Sequence, residues 1–176
     1  MSSYIKLNSK TLAIFGESPF TDFRLKSILN NFHAITPDIF KILCREVFFL
    51  EFTKEINFDN LEQDLFYVLG IKKIKPFNGL GNDFYIFPRK GTISSWSSKA
   101  TDILHNANYK DINRVERGIV YSLFTKEELK LKDLDILSRT VKDKMTEEVF
   151  FNLHDIKSLF LNFPTKPSTM ISVHEE

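Results

Sequence analysis

Leu25, Ile28, Leu29 and Phe32 fall at i, i+3, i+4 and i+7, one face of a helix. Ser18 is placed to cap it and Pro19 suits its first turn, so the pattern predicts a helix near 19–32. At an offset of 75 residues, Ala100, Ile103, Leu104 and Ala107 are apolar at the matching positions, and Trp96 extends the stripe one turn back. An equivalent helix is predicted near 96–108. Gly91 and Asn106 stand at the same offset from Gly16 and Asn31. A second stripe, Phe58, Leu61, Leu65 and Leu69, recurs 76 residues on as Leu134, Leu137, Val141 and Met145. Asp59 and Asp133 lie near the two helix starts, where the helix dipole favours acidic residues. Two stripes recurring in the same order point to an internal duplication. Leu25, Ile28, Leu65, Ile103, Leu104 and Val141 are expected in the core.

Strand patterns lie between the helices. Phe40, Ile42, Cys44, Phe48, Leu50 and Phe52 alternate along one face, with Glu46 the exception. The counterpart is Ile112 to Thr125, where Val115, Ile119, Tyr121 and Leu123 share a face. Shorter strands are predicted at 11–15, 71–77, 83–88 and 147–152. Each half then reads strand, helix, strand, helix, strand. With a break in the long middle strand this is the β-α-β-β-α-β ferredoxin-like unit. The predicted class is α+β, two such units packed as a pseudo-dimer. The first half spans 1–78 and the second 79–163, with a linker between them at Pro76 to Asn82. His154 to Phe163 reads as a short closing helix. Residues 164–176 read as the start of a linker to a missing downstream domain.

Composition narrows the classes. The 176 residues are 43% apolar and 27% charged, a folded domain's profile, with a net charge of +1. Charge is even along the chain: residues 1–88 carry 10 Lys/Arg against 10 Asp/Glu, and residues 89–176 carry 14 against 13. Such neutrality argues against nonspecific nucleic-acid binding. One cysteine, Cys44, excludes an intramolecular disulfide and a CxxC zinc or redox pair. His33, His105, His154 and His174 lack metal-ligand spacing. No apolar run reaches the roughly 18 residues of a membrane span, and Met1 to Lys6 holds no apolar signal core, so the cytoplasm is the expected compartment.

The polar segment that carries chemistry runs from Arg89 to Asp102. It is rich in hydroxyls and leads into the second helix. Backbone N–H groups and hydroxyls at a helix start can hold an anion, and the same serines can simply cap the helix. The glycine spacing of a Walker loop is absent.

The order of residues says more. Gly91-Thr92-Ile93-Ser94-Ser95-Trp96-Ser97-Ser98-Lys99-Ala100-Thr101-Asp102-Ile103, then His105-Asn106, then Arg114-Val115-Glu116-Arg117-Gly118, resembles the N-terminal domain of the large single-chain phosphoribosylformylglycinamidine synthases (FGAM synthases). Weaker likeness at Ser18-Pro19, Met145-Thr146-Glu147 and Val149-Phe150-Phe151 extends it over most of 11–163. Ser95 stands where the family pattern has proline, Leu104 where it has alanine, and Ala107-Asn108 where it has Cys-Gly. The last change removes a helix-ending glycine.

The resemblance implies a whole enzyme that turns formylglycinamide ribonucleotide (FGAR), glutamine and ATP into FGAM, glutamate, ADP and phosphate in de novo purine synthesis. Ammonia from a glutaminase domain passes to a synthetase domain. The N-terminal domain, similar to a fused pair of small subunits of multi-subunit versions, bridges the two and helps enclose the ammonia route. Catalytic, metal and cofactor-binding residues are expected to be absent from this fragment, with ATP and Mg²⁺ belonging to the synthetase part. The fragment alone is therefore expected to be inactive, and Cys44, set in an alternating apolar strand, reads as core. The candidate residues for a domain interface or substrate cleft are Ser97, Ser98, Lys99, Thr101, Asp102, Arg114, Glu116 and Arg117. The expected partners are the synthetase and glutaminase parts, with no nucleic acid and no membrane. Arg114 and Arg117 put charge on both faces of a half-buried strand, so they need partners, either across a junction or within the domain. Trp96 reads mainly as core, His105 as a local hydrogen-bonding group, and Lys99 as either a cleft cation or a solvated lysine. The main rival is a free-standing ferredoxin-like nucleotide- or RNA-binding module, against which stands the lack of an RNP-like aromatic strand. A remnant that folds without function is a third reading.

Overall fold

The computed structural model describes residues 4–55, 63–71 and 82–161. In chain order the elements are β1 (Tyr4–Asn8), β2 (Thr11–Phe15), α1 (Asp22–His33), β3 (Lys41–Phe52), α2 (Gln63–Val68), β4 (Asn82–Pro88), α3 (Ser95–Asn106), β5 (Ile112–Phe124), α4 (Leu131–Ser138) and β6 (Glu147–Phe150). A 3-10 helix, Leu153–Phe160, follows where a closing helix was expected. The class is α+β, as the sequence predicts. The six strands among the described residues form one antiparallel sheet in the order β1-β2-β3-β5-β4-β6.

The long strands β3 and β5 form the centre and pair without interruption from Lys41↔Phe124 to Glu51↔Arg114. The break assumed for the middle strands is thus not observed. Each helix-linked pair, β2 with β3 and β4 with β5, lies side by side and antiparallel. Two β-α-β-α segments are arranged alike about the β3–β5 seam, a layout compatible with duplication. The helix pairs follow the same arrangement. α2 and α3 cover Leu12, Ile14, Phe48, Leu50 and Val115. α1 and α4 cover Ile42, Cys44, Phe84, Ile86, Tyr121 and Leu123 on the same face. Each pair takes one helix from each half.

Alternation along β3 decides which side chains meet the helices. Ile42, Cys44, Phe48, Leu50 and Phe52 are buried, as expected, while Phe40 lies outside the strand and is exposed. The opposite face is covered too. Val47 and Phe49 of β3, with Phe15, Phe87 and Val120, pack beneath Leu153, Ile156 and Leu159 of the 3-10 helix. That is why Val47 to Leu50 are buried on both sides.

Several expectations are corrected. The N-cap of α1 is Thr21, whose hydroxyl accepts from the Arg24 N–H, and not Ser18. The Ser18 hydroxyl instead accepts the Phe20 N–H in a turn. Ile28, Leu65 and Leu104 are core, but Leu25 is half-buried and Ile103 is exposed on the outer side of α3. α4 ends at Ser138, so Val141 is only half-buried and Met145 stands exposed. Phe58, Leu61, Asp59, most of the 71–77 strand, most of the Pro76 to Asn82 linker and the tail after Leu161 lie outside the described residues. No helix among the described residues is long and apolar enough to cross a membrane.

Helix ends explain one departure from the family pattern. Asn108 takes φ +72°, with Asn108 N–H on the His105 carbonyl and Tyr109 N–H on the Leu104 carbonyl. This is a Schellman closure, and asparagine is the residue after glycine that best tolerates it. Gly70 closes α2 the same way at φ +73°.

Candidate functional site

The shared block folds around one carboxylate. Ser94 is extended and caps α3, its Oγ accepting the Ser97 N–H at 2.9 Å. The same hydroxyl donates to Glu116 Oε2 at 2.9 Å, and the Ser94 N–H donates to Oε1 at 3.4 Å. Glu116 is fully buried. Its charge is met by Arg114, two residues away on the same face of β5, through Nε at 3.2 Å and through Nη2. Arg114 also donates through Nη1 to the Leu159 carbonyl at 3.0 Å and through Nη2 to the Thr92 carbonyl at 2.7 Å. Its guanidinium lies 5.3 Å from the Phe160 ring centroid. One ion pair therefore ties β5, the approach to α3 and the 3-10 helix together, with all the donor nitrogens of Arg114 in use.

Arg117 points to the opposite face. Its guanidinium sits 4.9 Å from the Trp96 ring centroid and 3.7 Å from Glu46 Oε1. Trp96 packs against Phe48 at 6.0 Å, as a core residue should. The His105 ring nitrogen Nε2 bonds the Ile112 carbonyl at 2.7 Å, a local role. Thr101 Oγ1 accepts the Val115 N–H at 3.3 Å. Ser97 is fully buried, and its Oγ has no hydrogen-bond partner among the described residues.

The eight candidate residues therefore do not share one exposed patch. Arg114 and Glu116 form an internal pair, and Ser97 and Thr101 pack α3 onto the sheet. Ser98, Lys99, Asp102 and Arg117 reach solvent. Sequence reasoning left out Thr92, Ser94, Glu46, Leu159 and Phe160 as partners. Only Ser94 had a visible signal, as the hydroxyl residue just ahead of an apolar helical stripe. Lys99→Ala should change stability by no more than about 0.5 kcal/mol, and Arg117→Ala by about 1 kcal/mol at most, since its ion pair is solvent-exposed. Thermal unfolding of the two variants checks this.

Cys44 is buried against α1 and α4, and burial pushes its thiol up to about 12. It stays protonated at neutral pH and is unsuited to nucleophilic attack. Among the described residues no group of three or more His, Cys, Asp or Glu side chains is placed to hold a metal ion.

The family model described as formylglycinamide ribonucleotide amidotransferase N-terminal matches residues 45–160. That span runs from the centre of β3 to the end of the 3-10 helix and holds Glu46, α3, Arg114, Glu116 and Arg117. The match covers more than half of the chain, which therefore belongs to the N-terminal domain family of the formylglycinamide ribonucleotide amidotransferases, the FGAM synthases.

Proposed function

We propose that this chain serves as the non-catalytic N-terminal part of an FGAM synthase, bridging the synthetase and glutaminase parts and helping enclose the ammonia route. The bridging unit comprises residues 1–163, built as halves 1–78 and 79–163, and 164–176 begin the linker to the synthetase part. ATP and Mg²⁺ bind in that part, and the enzyme works in the cytoplasm in purine biosynthesis. The observation that carries this reading is the closed cluster of Ser94, Arg114 and Glu116. Glu116 has no access to solvent, so it is a positioning residue. It fixes the first turn of α3 and leaves Ser98, Lys99 and Asp102 displayed on a rigid helix, which is what a domain contact needs. The RNA-binding reading has less support, because Phe49, Phe87 and Val120 lie under the 3-10 helix rather than on an open platform.

Purified chain given FGAR, glutamine and ATP–Mg²⁺ should form no FGAM, release no glutamate and release no phosphate. FGAM formation by the pure chain that survives Cys44→Ala would contradict the reading.

A further inference from the structure

In front of the first turn of α3 lies a cleft of about 570 Å³, between the β4–α3 turn and the α4–β6 turn. Ile93 and Met145 both line it, 63% and 77% exposed. Thr92, Ser95 and Thr146 add hydroxyls. A neighbouring hollow of about 550 Å³ shares Arg89, Lys90 and Glu147 with it and adds Lys142 and Lys144. The walls are tied across. Arg89 N–H donates to the Thr146 carbonyl at 3.0 Å, and Lys90 N–H to Glu148 Oε2 at 3.1 Å. Asp143 Oδ1 accepts the N–H groups of Met145 and Thr146, which holds its carboxyl below the usual aspartate range. The cleft is thus preformed.

Its charge is unbalanced. Of the residues lining the second hollow, Arg89, Lys90, Lys142 and Lys144 outnumber Glu147 and Glu148; Lys90 pairs with Glu148 at 3.4 Å, and the nearby Asp143 carboxylate is turned onto the Met145 and Thr146 N–H groups. Lys142 and Lys144 have no acidic partner among the described residues. Ile93 and Met145 offer an exposed apolar seat beside the basic hollow. No aromatic side chain lines either hollow, so a nucleotide base would find nothing to stack on.

We propose that this cleft docks an acidic segment of a partner protein that carries one large apolar side chain. The apolar group seats between Ile93 and Met145, and the carboxylates meet Arg89, Lys142 and Lys144. The inference rests on the bridging reading and states where a bridge is made.

The test uses the full 176-residue chain and fluorescence anisotropy. The probe is a labelled peptide of glutamates around one central leucine, compared with a central-serine version, a lysine version, AMP and inorganic phosphate. The leucine–glutamate peptide should bind saturably and more weakly as salt is raised. Lys142→Ala with Lys144→Ala, and separately Met145→Ser, should each weaken it by about tenfold, the worth of one good contact. All three residues are solvent-accessible, and an unchanged melting temperature confirms that the variants fold. Absence of peptide binding, equal binding by the variants, or AMP competing at these residues would each overturn the proposal. If the peptide fails while the chain still restores glutamine-dependent synthesis to the rest of its enzyme, docking at this cleft falls and the bridging reading stands. If that restoration fails as well, both fall.

Discussion

Glu116→Ala is expected to destabilise this chain by about 3–5 kcal/mol, since removing one member of a buried pair strands the other charge. Four donor groups lose their acceptor at once: the Ser94 N–H, the Ser94 hydroxyl, and Nε and Nη2 of Arg114. Arg114 cannot turn to water without abandoning the Leu159 and Thr92 carbonyls, because its side chain is only 14% exposed. For a chain of this size the loss corresponds to a fall in melting temperature of roughly 10 °C. Glu116→Gln should cost less, because an amide oxygen can still accept from Ser94, although the guanidinium loses its counter-charge. Replacing Arg114 and Glu116 together with leucine should recover part of the loss, since an apolar pair leaves no buried charge behind. Urea unfolding measures all three. A loss under about 1 kcal/mol for Glu116→Ala would mean that the carboxylate is not buried in a closed network.

Gly118→Val is expected to be worse, leaving little folded protein at all. A Cβ at Gly118 would stand 2.5 Å from the Ile86 carbonyl oxygen and 2.5 Å from the Phe87 ring. Ile86 is paired in the sheet beside Ile119, so its carbonyl cannot retreat without opening the β4–β5 ladder. Phe87 is held in turn by Phe49 and Phe150 at ring separations of 6.2 and 6.4 Å. Overpacking a well-filled core costs about 1–3 kcal/mol, and here backbone must move as well. Gly118→Ala should already show a clear loss. Circular dichroism of the purified variants settles it, and native-like unfolding of Gly118→Val would mean that the close approach of β4 and β5 is wrong.

The sequence made some of this legible and hid the rest for identifiable reasons. The stripe at Ile28 and Phe32 and the one at Leu104 mark true buried faces, because a helix on a sheet must bury one side. Ile103 lies on the outer side of α3 because the side that packs on the sheet is made by Ser97, Ala100 and Leu104. The alternation along β3 predicts one covered face, and nothing local in Val47 and Phe49 says that a distant 3-10 helix covers the other. β1 was missed although Tyr4-Ile5-Lys6-Leu7 alternates, because the run is short and gains its place only by pairing with β2. The Arg-Val-Glu-Arg-Gly run correctly showed charge on both faces of a strand. Its partners could not be read, since Thr92 and Leu159 lie 22 and 45 residues from Arg114 and offer only backbone carbonyls. The family was legible from that same block, whose Ser94, Trp96, Arg114, Glu116 and Gly118 also hold the contacts around α3 and β5.

The proposed bridging role is that this domain joins the glutaminase and synthetase parts so that ammonia released from glutamine reaches synthesis. The direct measurement is FGAM formation by the synthetase–glutaminase remainder of its enzyme, assayed with and without this chain, using either glutamine or ammonium chloride as nitrogen donor. The account predicts that ammonium-supported synthesis changes little and that glutamine-supported synthesis rises sharply when the chain is added. Glutamine-supported synthesis that proceeds equally well without it would contradict the account.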